Sequence, residues 1–195
     1  MSDFRIGIGV WDGVEELDFA GPYEVLTAWA IQVSEDRSIT VEVVAATADP
    51  VTCAHGLRVL PDAVWQDDTR YDLFVLPGGN TMPLQADDAF LARMRELAAR
   101  GTLMTSVCTG ALVYAKAGLL DGRPATTHWS AIERLRELGV DVDEDARFVD
   151  DGEVVTAAGV SAGIDMALHL VARLDSVERA QAVRRYIQYD PAPPV

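Results

Sequence analysis

Cys108 stands where a short strand-like run, Leu103 to Val107, gives way to a helical segment beginning at Gly110. A cysteine at such a junction has its thiol aimed out of a sharp turn, and the positive end of the following helix favours the thiolate. Both effects suit a nucleophile. The neighbours in Thr105-Ser106-Val107-Cys108-Thr109-Gly110 are small, and Gly110 lets the chain turn without a side chain in the way. The backbone N–H of Thr109 is expected to point at an anion formed on a substrate. An arbitrary cysteine is more often a small buried hydrophobe; position at the turn is what separates Cys108 from that case.

Three further features could serve the same site. Pro77-Gly78-Gly79-Asn80 follows an apolar run and offers the Gly78 and Gly79 amides, unobstructed by side chains, as an oxyanion hole or anion nest. Asp18, flanked by Leu17 and Phe19, is expected to be partly desolvated, which raises a carboxyl pKa and equips it for proton transfer. Without Cys108 it would read first as the cap of a helix starting near Pro22. His128, in Thr126-Thr127-His128-Trp129, is the imidazole best placed to line a site, because His55 falls in a loop and His169 inside an apolar helix. Glu15, Glu16 and Glu24 read as surface charges, although Glu24 on the first turn of that helix could also reach the pocket. No Cys or His pair has metal-ligand spacing and no Walker sequence occurs, so neither a metal nor a cofactor is expected.

The elements that must position these residues alternate. Strands are expected at residues 5–10, 39–46, 72–76, 103–107, 148–149 and 154–155, with a short strand or hairpin arm at 57–60. Helices are expected at 22–33, 90–99, 110–117, 129–138, 160–174 and 177–188. Alternation of this kind predicts an α/β fold: a doubly wound, mostly parallel sheet with helices on both faces. Sites in such folds lie at the carboxyl ends of strands, where the acidic turn 12–18, the Pro-Gly-Gly loop and the Cys108 turn all fall.

A chain of 195 residues, 49% of them hydrophobic, suits one domain, which at this length buries roughly 70% of its unfolded surface. That domain is read at residues 1–190, followed by a Pro-rich tail at 191–195. Sixteen basic against 31 acidic residues leave a formal charge of -15, which repels phosphate backbones and anionic membranes, so nucleic-acid binding is rejected. Neither a secretory signal nor a run of about 18 apolar residues is present, and a cytoplasmic protein with no membrane association is expected. Cys53 and Cys108 sit in such different contexts that two free thiols are expected rather than a disulfide.

Acidic turn, Pro-Gly-Gly loop, cysteine turn and Thr-Thr-His occur in the order seen in the DJ-1/PfpI superfamily, which the chain resembles over nearly its whole length. Ser161-Ala162-Gly163-Ile164-Asp165-Met166-Ala167 is similar to that superfamily's closing motif. The resemblance implies a flavodoxin-like, class I glutamine amidotransferase-like domain and a homodimer with the site near its interface. Asp18-Phe19-Ala20-Gly21-Pro22-Tyr23-Glu24-Val25, Cys108-Thr109-Gly110-Ala111 and Ala125-Thr126-Thr127-His128-Trp129 resemble the isonitrile hydratases and the ligand-binding domains of AraC-type regulators. Protease-like members carry Cys-His-Gly at the turn, whereas Thr109 stands here after the cysteine; DJ-1 and glyoxalase-type members carry glutamate where Asp18 stands. The regulators normally add a helix-turn-helix domain, for which the sequence shows no counterpart, so a transcription factor is not expected.

By resemblance, then, the expected reaction is addition of water to a small-molecule isonitrile, giving an N-substituted formamide. Cys108 is the nucleophile, Asp18 the proton donor and acceptor, and Thr109, Gly78, Gly79 and His128 orient substrate or stabilise charge. Two rivals remain: a glyoxalase-like dicarbonyl hydratase, and a redox or small-molecule sensor whose Cys108 is oxidised rather than turned over.

Overall fold

The computed structural model describes residues 3–33, 38–66 and 68–192, so the last three residues of the expected tail lie outside the described ones. In chain order the elements begin with β1 (Asp3–Gly9), α1 (Glu16–Gln32), β2 (Ser38–Ala45), β3 (Val51–Thr52), β4 (Arg58–Val59), β5 (Ala63–Val64) and β6 (Leu73–Leu76). Next come α2 (Met82–Gln85), α3 (Asp88–Ala99), β7 (Leu103–Val107), α4 (Gly110–Lys116) and β8 (Pro124–Ala125). A 3-10 turn at Trp129–Ala131 leads into α5 (Ile132–Glu137), then β9 (Asp141–Val142), β10 (Phe148–Asp150), β11 (Val154–Ala157), α6 (Ala162–Leu174) and α7 (Val177–Tyr186).

Seven strands form one sheet in the order β10-β11-β7-β6-β1-β2-β5. Every pairing in it is parallel except that of β10 with β11. Because successive side chains of a strand point to opposite faces, β6 feeds two cores at once. Leu73 and Val75 pack with Ile6, Ile8, Leu26, Trp29, Met166 and Leu170 on the α1, α6 and α7 side. Phe74 and Leu76 pack with Met94, Leu97, Met104, Leu112 and Leu135 on the α3, α4 and α5 side. Leu73, Phe74, Val75 and Leu76 are all fully buried, which explains why β6 reads as a continuous apolar run rather than an alternating one. The doubly wound architecture is therefore present, with helices on both faces.

The start of α1 differs from expectation by six residues. Sequence placed it at Pro22, since proline is tolerated in a first helical turn, but the helix begins at Glu16 and carries Pro22 inside it. No side chain caps its N-terminus; instead the Glu15 N–H donates to Gly78 O at 3.0 Å and the first turn docks on the Pro-Gly-Gly loop. The missing amide of Pro22 leaves one intrahelical bond unmade, and the ring is buried against α6, where a Cβ on Gly163 would lie 3.1 Å from Pro22 Cγ. Tertiary contact, not local propensity, sets this boundary. Helix α6 likewise starts at Ala162 rather than Val160, a shift that frees residues 158–161 to form a turn.

Among the described residues no helix is long and apolar enough to cross a membrane.

Candidate active site

Strands β1, β6, β7 and β11 are neighbours, and their carboxyl ends deliver the acidic turn, the Gly78-Gly79 loop, Cys108 and the turn at Gly159-Val160 to one edge of the sheet. Cys108 has φ 57, a left-handed conformation that side chains other than glycine seldom adopt. The strain is held by the backbone: its N–H donates to Ala157 O at 3.1 Å and Ala158 O at 2.8 Å, and its carbonyl accepts the Thr127 hydroxyl at 2.7 Å. Gly110 follows because a Cβ there would run into Leu76 O and come within 2.7 Å of Pro77 O. The result is a thiol at a tight strand-to-helix turn with 7% of the residue exposed. Cys53 is also free and buried.

Asp18 does not cap a helix. It lies in the first turn of α1, wholly buried, and Oδ2 accepts the Gly78 N–H at 2.8 Å. Oδ1 has no hydrogen-bond partner of good geometry, and the carboxyl sits beside the Cys108 thiol, each perturbing the other. Gly78 is required for this approach: a Cβ would lie 2.7 Å from the Thr109 N and Oγ1 atoms and 2.8 Å from Asp18 Oδ2. Burial pushes the carboxyl up to about 7, reinforced by the charge of Glu15 and opposed by the Gly78 amide and the thiol. Burial also pushes the thiol up to about 12, the Asp18 charge adds to the rise, and the backbone amides of Thr109 and Val160 oppose it.

Two expectations are corrected here. A thiolate stabilised by its position alone is not what the surroundings produce, because α4 is only seven residues long and burial outweighs the two amides. The thiolate becomes accessible when the proton resides on Asp18, since the carboxylate repulsion then disappears. The Gly78 and Gly79 amides do not form an open anion nest either. Gly78 N–H holds Asp18, and Gly79 N–H donates to Thr109 Oγ1 at 3.0 Å while that hydroxyl donates to Gly79 O at 3.0 Å. The backbone amides that oppose the rise of the thiol belong to Thr109 and Val160.

Thr109 thus braces the loop through its side chain. Thr109→Val should leave the Gly79 amide without its partner and destabilise the protein by about 1–3 kcal/mol. Thermal melting reads this as a drop of several degrees, whereas Thr109→Ser, which keeps the hydroxyl, should melt with the wild type. Equal melting of the valine variant would remove the bracing role.

His128 is half-buried beside this cluster. Its Nδ1 lies 2.7 Å from Ser130 Oγ, and its ring packs on Gly159, where a Cβ would run into Cδ2. Among the described residues no hydrogen bond joins it to Cys108 or Asp18, so it borders the site rather than acting on the thiol. Glu24 is exposed on the outside of α1. Val160 and Thr127 are the residues sequence reasoning missed. Thr127 was in view next to His128, and only the fold shows that its hydroxyl, not the imidazole, reaches Cys108. Val160, at φ 42, carries no sequence signal for a left-handed turn, because a β-branched residue is among the least expected there.

Residues 4–173 match the DJ-1/PfpI family. The chain is 39% identical over 191 residues to an isonitrile hydratase of Pseudomonas putida, covering 97% of this chain and 80% of that one. It is 34% identical over 143 residues to the HTH-type transcriptional regulator CdhR of Pseudomonas aeruginosa, covering 72% of this chain and 42% of the regulator. A crystal structure of a THiJ/PfpI family protein from Pseudomonas syringae superimposes with a TM-score of 0.88 at 34% identity, covering 100% of this chain and 78% of that one.

Proposed function

The chain belongs to the DJ-1/PfpI family, and from that premise we propose that it hydrates isonitriles, using Cys108 as nucleophile and Asp18 as proton carrier. The observation that carries this reading is the buried Asp18 carboxyl set against the Cys108 thiol, raised to about 7 so that it can both give and take a proton near neutrality. The similarity to the isonitrile hydratase of Pseudomonas putida supports the substrate class.

Transfer of the thiol proton toward Asp18 leaves a thiolate that the Thr109 and Val160 backbones favour. Sulfur bonds to the terminal carbon of R–N≡C, and that carbon takes the proton from Asp18, giving the thioimidate R–N=CH–S–Cys108. Water then adds across C=N, hydroxide to carbon and proton to nitrogen, with Asp18 relaying the proton. Collapse of the tetrahedral adduct breaks the C–S bond, the hydroxyl proton returns to the Cys108–Asp18 pair, and R–NH–CHO leaves. Atoms balance with one water consumed and no change of oxidation state. A thiol with so little exposure favours a narrow, linear head group, which an isonitrile presents.

Incubation of purified protein with an aromatic isonitrile, followed by chromatography of the N-substituted formamide, tests the proposal. Formamide production above the buffer rate is expected. Consumption of methylglyoxal without any formamide would overturn it in favour of a dicarbonyl hydratase, and inertness toward both in favour of a sensor.

A further inference from the structure

The turn at residues 158–161 is held on both sides by one residue. Arg147, just ahead of β10, accepts the Ala158 N–H on its own carbonyl oxygen at 2.9 Å. Its guanidinium reaches across the turn, donating from Nε to Asp165 Oδ2 at 2.9 Å and from an η nitrogen to Ser161 Oγ at 3.3 Å. Asp165, in the first turn of α6, accepts the Tyr189 hydroxyl on Oδ1 at 3.0 Å, so the segment after α7 braces the same carboxylate. Between the two anchored ends lies Val160 at φ 42, a β-branched residue in the left-handed region that persists only where its surroundings over-determine it. On the inner side, Ala158 O accepts the Cys108 N–H at 2.8 Å, which fastens the turn to the reactive residue.

We propose that Arg147, braced through Asp165 by Tyr189, is a positioning residue that holds the 158–161 turn against Cys108, whose N–H the turn accepts on Ala158 O. A planar guanidinium suits this task because one rigid fork serves two acceptors, which a lysine ammonium on a flexible stem does less well. Arg147 touches neither thiol nor substrate and acts only through the turn. The inference goes beyond isonitrile hydration, since it concerns the thiolate in any reaction, and its readout does not require turnover.

The test measures alkylation of Cys108 by iodoacetamide from pH 6 to 10, followed by mass spectrometry in a Cys53→Ser background that leaves one thiol. The Val160 backbone in this turn favours the charged sulfur, so loosening the turn in Arg147→Gln should displace the rate–pH curve upward by roughly 0.5–1 unit, about 3–10-fold slower alkylation at a given pH. Tyr189→Phe should shift it less in the same direction, and Arg147→Lys should restore part of the rate. Arg136→Gln, which removes a guanidinium paired with Glu133 and Glu144 elsewhere on the surface, should overlay the wild type. An Arg147→Gln curve that overlays or lies above the wild type overturns the proposal, whatever its melting temperature. If that variant does not fold, Ser161→Ala and Tyr189→Phe decide: a slowed curve in either supports the clamp, and wild-type curves in both overturn it.

Discussion

Cys108→Ala is expected to lower formamide production by at least about 10⁴-fold, the scale of loss seen when a covalent nucleophile is removed. The fold should survive. None of the hydrogen bonds that hold residue 108, from its N–H to Ala157 and Ala158 and from Thr127 to its carbonyl, uses the sulfur. Alanine inherits the same left-handed backbone and leaves a cavity of about one atom, a cost of about 1 kcal/mol. Cys108→Ser should be nearly as inactive, because a hydroxyl beside a carboxyl that titrates near 7 is far too weak an acid to ionise. Rapid-quench mass spectrometry of the wild type should show an adduct of the substrate's mass on the peptide bearing Cys108. An alanine variant within tenfold of wild-type activity would end the covalent mechanism.

The second large effect separates thiol reactivity from turnover. Asp18→Asn should cut formamide formation by about 10³-fold, within the range contributed by a positioned general acid and base. The same change should make Cys108 easier to alkylate at neutral pH, because the negative charge that helps push the thiol up to about 12 is gone. A variant that lost thiol reactivity along with turnover would show that taking the thiol proton, rather than placing a negative charge beside the sulfur, is the larger effect of Asp18 on Cys108.

Stability should change in a way that identifies the carboxyl. An ordinary aspartate titrates near 3.8 and Asp18 in the fold at about 7, so the folded protein holds this proton more tightly than the unfolded chain. Its contribution is therefore fully present below the unfolded value and declines as pH rises to about 7. At 1.36 kcal/mol per unit the decline amounts to about 4 kcal/mol. Asparagine has no such proton, so the stability of Asp18→Asn relative to wild type should grow between pH 4 and 7 and level off above. Denaturant melts at several pH values read this directly, and a gap that does not vary with pH would mean that Asp18 is ionised in the fold. A residue whose removal stabilises the protein while stopping turnover is one the fold tolerates at a cost for its chemistry.

The exposed surface near Asp18 belongs to the same electrostatic account. Glu15, whose charge raises Asp18, lies with Glu16 against His55, whose Nδ1 is 2.8 Å from Glu16 and 3.5 Å from Glu15. Hydrogen bonding to Glu16 raises the His55 pKa, so the hairpin that carries His55 becomes cationic more readily beside this pair.

By itself the sequence determined the layered α/β architecture and the turn at Cys108. Apolar runs such as Leu73 to Leu76 and the junction Val107-Cys108-Thr109-Gly110 depend on local spacing and on side chains whose burial or small size is written in their type. It also pointed to Asp18, an acid between Leu17 and Phe19, although only its place beside the Cys108 turn set that reading above a helix cap. Tertiary structure alone decided what these residues are bonded to. The helix begins at Glu16 because the Gly78 carbonyl receives it, the Gly78 amide holds Asp18 rather than an anion, and the Thr109 hydroxyl closes on Gly79. Partners of that kind come from strands distant in sequence, and one backbone amide looks like any other until the fold assigns it. Val160 is the extreme case: its side chain argues against a left-handed turn, and the bonds that fix its neighbours, Ala158 to Arg147 and Cys108 and Ser161 to Arg147, hold the turn in which that conformation is adopted.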